Sequence, residues 1–134
     1  MDILRSFKSM LDRRGIRYVQ TDDSVQMMLC SGQHKWKCAV TATDNSFICI
    51  YNSYPWEVAP DKTDKLLLKM NEMNKGIAAG CFMISGGSAV YRYALHIGDP
   101  LLFTDIAAEH FASAAALTDR AWDDIYLTLF SAEV

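Results

Sequence analysis

The sequence of 134 residues lacks any long hydrophobic run. No apolar stretch reaches the roughly 18 residues that a membrane-spanning helix needs, and the residues after Met1 lack the apolar segment of a signal peptide. We therefore expect neither a membrane protein nor a secreted one, and we place the chain in the cytoplasm. Because 51% of the residues are hydrophobic, a disordered chain is excluded and one compact domain, residues 1–134, is predicted.

An excess of positive charge is also missing. The formal net charge is −3, from 13 Lys and Arg against 16 Asp and Glu. Residues 1–75 carry 11 basic and 9 acidic side chains, whereas residues 76–134 carry 2 basic and 7 acidic ones, a local balance of −5. Duplex-binding domains usually carry a basic patch, because contacts to phosphates supply much of their affinity. Nucleic acid is therefore not an expected partner.

The four cysteines form no C-x-x-C pair, so neither a zinc knuckle nor a thioredoxin-type redox motif is indicated. Cys30, His34 and Cys38 are spaced evenly enough to suggest a metal site. If a tight turn follows Cys30, however, Cys30 lies opposite Lys35 and Cys38 lies opposite Met27. The two sulfur atoms are then several residues apart along the strands. We expect reduced thiols, no metal site and no cofactor.

Motifs for phosphate binding and nucleophilic catalysis are absent as well. Gly86-Gly87-Ser88 matches neither the Walker pattern nor G-x-G-x-x-G, and it connects two predicted strands, which favours a hairpin turn. No G-x-S-x-G elbow is present. Asp119, Asp123 and Asp124 lie at helical neighbour spacing, but one helix alone coordinates a cation incompletely, so a solvated acidic face is predicted. We expect no enzyme.

Hydrophobic periodicity predicts three helices and five strands. The helices are residues 2–14, 61–77 and 104–130, with Gly15 ending the first, Asp61 capping the second, and Thr104 or Asp105 capping the third. The strands are Val25–Cys30, residues 35–43, Phe47–Tyr51, Cys81–Ser85 and Ala89–His96. Phe47–Tyr51 is apolar without alternation, which predicts a central strand covered on both faces.

The element order α-β-β-β-α-β-β-α places strands next to one another along the chain, joined by hairpins. Such connections give antiparallel pairing. We therefore predict an α+β domain with a five-stranded antiparallel sheet and helices packed mainly on one face. The other face would then be partly open to a partner.

Two aromatic residues are candidates for partner binding. The segment from Asn52 to Pro60 is predicted to be a loop, and it holds Tyr54 and Trp56. Aromatic side chains of this kind anchor interfaces. For Trp56 the alternative is packing of the loop over the core. Trp36 differs, because it belongs to the apolar side of its strand and is predicted to lie in the core.

Arg92 is the third candidate for partner binding. Alternation places it on the sheet face opposite Tyr91 and Tyr93, where a solvated arginine is the alternative interpretation. A different function would use Arg92 with His96 or His110 in a small-molecule or catalytic pocket between sheet and helices. His110 also fits a partly buried packing role at the edge of the final helix's apolar stripe.

Residues 64–97 resemble a known family. Asp64–Asn74 (DKLLLKMNEMN), Gly80-Cys81-Phe82 and Val90–Leu95 (VYRYAL) are similar to the helix with a terminal asparagine and the two strand motifs of the YbjN-like bacterial sensory-regulator family. The resemblance implies the fold of type III secretion chaperones, small dimeric acidic proteins that bind extended segments of partner proteins. It implies no catalytic residues. The residues that transfer as fold determinants are Asn74, Gly80, Phe82, Tyr91 and Arg92.

The sequence as a whole predicts a non-enzymatic protein-interaction module, chaperone-like or regulatory, that forms a homodimer and binds another protein. The alternatives are the small-molecule or enzymatic domain described above and an acidic, toxin-neutralising binder. Either the acidic final helix or the open sheet face could form the interface, and the sequence leaves this choice open.

Overall fold

A computed structural model describes residues 3–43, 46–97 and 103–131, and all of their side chains except those of residues 103–105. The α-helices are α1 (Ile3–Arg13), α2 (Thr63–Lys75), α3 (Phe103–Arg120) and α4 (Trp122–Phe130). The strands are β1 (Val19–Gln20), β2 (Ser24–Ser31), β3 (His34–Thr43), β4 (Phe47–Glu57), β5 (Cys81–Ser85) and β6 (Ser88–His96). The turn predicted at Asp44-Asn45 and the break predicted at Asp99-Pro100 lie outside the described residues.

The strands form one antiparallel sheet in the order β1-β2-β3-β4-β6-β5. The α+β class and the antiparallel sheet are confirmed, with six described strands where five were predicted. The additional strand, β1, pairs only through Val19 and Gln20, which lie opposite Gln26 and Val25. Two residues are too few to produce a periodic pattern, so β1 has no signal in the sequence.

The helices pack on one face of the sheet, as predicted. α1 contacts β2 and β3, α3 contacts β4 and β6, and α2 contacts β5. A cross-strand row of Val40, Ile50 and Tyr93 lies beneath them and is buried. The alternate residues point to the other face, where Lys37 is exposed and Arg92 is half-buried.

The hairpin of β2 and β3 has the predicted register. Cys30 lies opposite Lys35, and Met27 lies opposite Cys38. Cys38 is buried on the helix-covered face, whereas Cys30 is exposed. Cys38 shares a face of the sheet with its partner Met27. Cys30 is three residues beyond Met27 on the same strand, so its side chain points to the opposite face. The thiols of Cys30 and Cys38 are therefore separated, as the predicted hairpin register required.

The predicted loop from Asn52 to Pro60 is wrong, because β4 continues as a strand to Glu57. The pairing of β4 with β6 is irregular between Ser53 and Glu57. Pro55 lies inside that interval, where its missing N–H removes no ladder hydrogen bond. The proline therefore marks a bulge in a long strand and not its end. β4 is central, as predicted, but Phe47 is exposed, so the strand is not covered on both faces throughout.

Two predicted helix features are also wrong. Pro60–Lys62 form a short 3-10 helix and α2 begins at Thr63, so Asp61 is not its N-cap. The predicted final helix is interrupted at Ala121, which separates α3 from α4. The hydrogen bonds from Ala121 N to Leu117 O and from Ile125 N to Ala121 O persist across this point, so the interruption is a local bend.

Candidate interaction surface

Tyr54 lies in the core, although its neighbours in the sequence suggested a surface loop. Its hydroxyl donates a hydrogen bond of 2.7 Å to the backbone oxygen of Thr118 in α3. Beside it, the amide nitrogen of Asn52 donates to Thr118 Oγ1 at 2.9 Å. Burial is the main cause that raises the pKa of the Tyr54 hydroxyl well above its usual range, and the negative charge of Asp119 raises this pKa further. Tyr54 thus joins the central strand to the end of α3.

Trp56 lies half-buried at the edge of the helix-covered face, next to α4. Its ring centroid is 5.3 Å from that of Tyr126 and 6.1 Å from that of Phe130, and the last two rings are 5.0 Å apart. Tyr126, Leu127 and Phe130 are 44%, 56% and 51% exposed. We call these four residues, Trp56, Tyr126, Leu127 and Phe130, the α4 patch. The side chain of Trp56 is thus partly packed against the molecule and partly exposed to solvent.

Trp122, the first residue of α4, connects the patch to the β2–β3 hairpin. Its ring stacks on His34 at a centroid distance of 4.4 Å and meets Trp56 edge-on at 4.5 Å. His34 Nδ1 lies 2.6 Å from Asp119 Oδ1, and Ser31 Oγ donates to Asp119 Oδ2 at 3.0 Å. The prediction of a solvated acidic face is therefore wrong for Asp119, which holds the hairpin turn against α3.

Arg92 points to the open face of the sheet, whereas Tyr91 and Tyr93 point to the helix-covered face, as alternation predicted. Its Nε donates to the Tyr51 hydroxyl at 3.4 Å, and its guanidinium carbon is 5.7 Å from the centre of the Tyr51 ring. Nη2 is 3.6 Å from Cys49 Sγ. The hydrogen bond to Tyr51 raises the pKa of Arg92 above its usual value, and burial lowers that pKa by a smaller amount. Arg92 is therefore held flat against the sheet by its neighbours.

The structure does not bring the three candidate residues together. Tyr54 and Trp56 belong to the helix-covered face, and Arg92 belongs to the open face. Their role in partner binding stays a prediction, and the hydroxyl of Tyr54 already has a partner inside the molecule. The members of the α4 patch that the sequence prediction missed are Tyr126, Leu127 and Phe130.

A sequence signal for the patch existed. The predicted apolar stripe of the final helix is buried as expected, through Phe111, Ala114, Thr118, Ala121, Ile125 and Leu129. Tyr126, Leu127 and Phe130 fall outside that stripe, yet they are large and apolar. An amphipathic helix with apolar residues on its outer face is typical of an interaction surface.

The residues named for a small-molecule pocket are also dispersed. His96 packs against Phe47 on the open side of the sheet, and His110 is hydrogen-bonded to the Tyr93 hydroxyl on the helix side. A cavity of about 1100 Å³ opens at the edge of β2, and none of Arg92, His96 and His110 lines it. Half-burial of His110 agrees with the packing role predicted for it.

Within residues 3–43, 46–97 and 103–131, no three His, Cys, Asp or Glu side chains are grouped so that they could hold a metal ion. None of the helices described in this chain combines the length and the apolar character needed to cross a membrane.

Comparison with known proteins supports the fold. No protein-family model matches the sequence, and no curated protein matches it significantly. The structure is similar to the crystal structure of YbjN from E. coli, which is described there as a "putative transcription regulator". The TM-score is 0.63 at 13% sequence identity, over 92% of this chain and 88% of that one. At this identity the similarity concerns the fold alone, and the chain has a YbjN-like fold.

Proposed function

We propose that this chain is a non-enzymatic protein-interaction module of regulatory type that works as a homodimer, with the α4 patch as the contact between two copies. The observation that carries the proposal is the exposure of Tyr126, Leu127 and Phe130 around Trp56. Monomeric proteins rarely expose contiguous aromatic and aliphatic surface without a binding partner for it. The description of the YbjN structure as that of a regulator is in keeping with such a role.

A second copy is the occupant that the charges of α4 favour. Its only charged residues, Asp123 and Asp124, lie in the first turn, while the exposed apolar residues follow them. A two-fold axis that passes through the patch perpendicular to α4 makes the two α4 helices antiparallel. Tyr126 of one copy then lies near Phe130 of the second copy, and the two acidic turns lie at opposite ends. Like charges are kept apart while apolar surfaces meet.

The test is analytical ultracentrifugation of the wild-type protein and of Phe130→Asp. The wild-type protein is expected to dimerise in the micromolar range. A carboxylate in the centre of a desolvated apolar contact weakens dimerisation by about a hundredfold, because aromatic anchors supply most of the binding energy of such interfaces.

Leu68→Asp is the matched control. Leu68 is 71% exposed on α2 and lies outside the α4 patch, so the same change of an exposed apolar residue to aspartate should leave the dimer intact. A wild-type protein that sediments as a monomer at high micromolar concentration contradicts the proposal. Equal weakening by Leu68→Asp would also contradict the assignment of the interface to α4.

A further inference from the structure

A cleft separates β2 from the chain that precedes β1. β1 pairs with β2 only through Val19 and Gln20, and the segment from Gly15 to Tyr18 forms no described pairing with β2. The cleft between this segment and the residues from Gln26 to Cys30 has a volume of about 1100 Å³. Sites for small organic ligands commonly have volumes of about 300 to 1,000 Å³, so the cleft is large enough to hold one.

The outer wall of the cleft is held by α1. Ile16 N donates a hydrogen bond to Leu11 O at 3.0 Å, at the turn that ends the helix. The Tyr18 hydroxyl donates to the carboxylate of Asp12, which also belongs to α1. Because these contacts fix the segment from Gly15 to Tyr18 against the helix, the cleft exists before any ligand is bound. A preformed site reduces the cost of ordering the protein on binding.

The walls of the cleft are largely aliphatic. Ile16, Val19, Met28 and Leu29 are among the residues that line it. Val19 and Met28 are 67% and 65% exposed, and a ligand that covers them removes this apolar surface from water. A methionine side chain is flexible and adapts to the shape of its partner. These walls therefore favour a ligand with a flexible apolar chain.

Two cations accompany this apolar surface. Arg17 lies in the outer wall of the cleft, and Lys37 lies directly opposite Met28 on β3. Neither forms an ion pair with a carboxylate among the described residues, and none of the described lining residues is acidic. This local positive charge contrasts with the net charge of −3 of the whole chain. It favours a ligand whose polar end is negatively charged.

We propose that the cleft binds a single molecule of a fatty acid, with its carboxylate beside Arg17 and Lys37 and its alkyl chain along Met28 and Leu29. The residues from Gln26 to Cys30 extend over about 13 Å, which matches an extended alkyl chain of about ten carbons. This binding is a further function of the chain. It uses a surface different from the α4 patch and does not depend on the proposed dimer.

The native cysteines provide the test. Cys30 is exposed and lines the cleft, whereas Cys81 is half-buried on β5, at the opposite edge of the sheet. Alkylation of the full-length protein by iodoacetamide is followed by mass spectrometry, with decanoate kept below its critical micelle concentration. At a decanoate concentration about tenfold above Kd, alkylation of Cys30 is expected to slow by about tenfold, and the rate at Cys81 should not change. Titration calorimetry gives the Kd, which is expected in the micromolar range.

Two further probes separate the contribution of the charge from that of the chain. Decyltrimethylammonium has a chain of the same length and a positive charge, so it should not protect Cys30. Hexanoate keeps the carboxylate but buries fewer methylene groups, and it is expected to bind about a hundredfold more weakly than decanoate.

Two sets of variants test the residues of the site. Lys37→Gln and Arg17→Gln should each weaken decanoate binding by about tenfold, whereas Lys75→Gln, an exposed cation of α2, is the matched control and should not. Met28→Glu should abolish binding, because it places a negative charge beside the carboxylate. Leu68→Glu is its control, since Leu68 is 71% exposed and lies outside the cleft. Met28 and Leu68 are both exposed, so the fold tolerates these changes.

Four results would overturn the inference. One is a rate of alkylation at Cys30 that decanoate leaves unchanged. A second is equal protection by decyltrimethylammonium, which would show a contact without selection for charge. The third is protection by vesicles of phosphatidylglycerol but not by decanoate, which would assign the cleft to a membrane surface. The fourth is protection that grows with protein concentration in the absence of ligand, which would assign it to a second copy. Decanoate binding by the Phe130→Asp variant keeps this test separate from that of the dimer.

Discussion

Gly80 occupies a position where the backbone conformation and the surrounding space both require glycine. Its φ angle is +74°, and a Cβ atom would lie 2.4 Å from the Tyr91 hydroxyl and 2.7 Å from the backbone oxygen of Arg92. The Tyr91 hydroxyl also donates to Ala79 O at 2.7 Å, so it is not free to move away. Gly80→Ala is expected to lower the free energy of unfolding by about 3 kcal/mol, measured by urea denaturation.

Gly15→Ala is the control for Gly80→Ala. Gly15 ends α1 with a φ angle of +70°, but nothing lies within 4 Å of a Cβ atom placed there. Only the left-handed conformation opposes the substitution, at a cost of about 1 kcal/mol. If both variants lose the same stability, the close approach of Tyr91 and Arg92 contributes nothing.

The Thr118 hydroxyl supports a buried amide. It donates to Ala114 O at 2.8 Å and accepts from the amide of Asn52 at 2.9 Å. Thr118→Val keeps the shape but leaves that amide with only a long contact of 3.5 Å to Ala114 O. Because a buried donor loses its partner, the expected loss is about 2 kcal/mol in the free energy of unfolding, measured by urea denaturation.

Thr128→Val tests whether the loss at Thr118 comes from the amide. Thr128 donates to Asp124 O at 2.7 Å within α4. Removal of such a bond within one helix is expected to cost less than about 1 kcal/mol. Comparable losses in the two variants would show that the amide of Asn52 is not the cause.

At the scale of elements, Asn74 fixes the last strand of the sheet to α2. Its side chain takes the place of a neighbouring strand by bonding both N and O of Phe82. Asn74→Ala is expected to destabilise the protein by about 2 kcal/mol and to speed exchange of the Phe82 amide, measured by urea denaturation and hydrogen exchange. Asn71→Ala, at an exposed position of the same helix, should change neither quantity. A normal Phe82 exchange rate in Asn74→Ala would contradict this role.

The elements that the sequence predicted well are those in which local pattern and burial agree. Alternation in β3 and β6, and the register of the β2–β3 hairpin, follow from residues that are near one another in the chain. The extension of β4 through Pro55 does not, since it depends on an irregularity in its pairing with β6. Neither glycine nor proline occurs near the bend at Ala121, so the local sequence does not predict it. It coincides with the packing of Trp122 against distant aromatic rings.

At the scale of the whole molecule, the fold class was predictable, whereas the composition of the α4 patch was not predicted. Helical and strand periodicities define which side of each element is apolar, and that determines how the layers pack. Periodicity alone leaves Tyr126, Leu127 and Phe130 outside the core-facing stripe, but it does not say which residues of other elements lie beside them. Trp56 was selected from the sequence because it is aromatic, but Tyr126 and Phe130 become its neighbours only when α4 packs beside β4.

The stability of the whole molecule should fall at alkaline pH, because the core keeps ionisable groups neutral. Burial raises the pKa of the Cys38 thiol from 9.0 to about 12. It also raises the pKa of Tyr91 to about 12 and that of Tyr54 above its usual range. An acid whose pKa is raised by folding loses its proton first in the unfolded chain. Its contribution is complete below pH 9.0 for Cys38, and it declines as pH rises toward 12.

Between pH 9 and 10 the largest single contribution to this decline comes from Cys38, because its reference pKa of 9.0 lies below the value of 10.0 for the tyrosines. The free energy of unfolding is expected to drop by about 1 kcal/mol over that interval through this thiol alone. Cys38→Ala should remove this part of the drop in urea denaturation under reducing conditions, although it also lowers stability at neutral pH. Val40→Ala, two residues along the same buried face, has a similar cavity and no thiol, so its pH dependence should match the wild type. An unchanged slope in Cys38→Ala would mean that the thiol ionises with equal ease in the folded and unfolded chains.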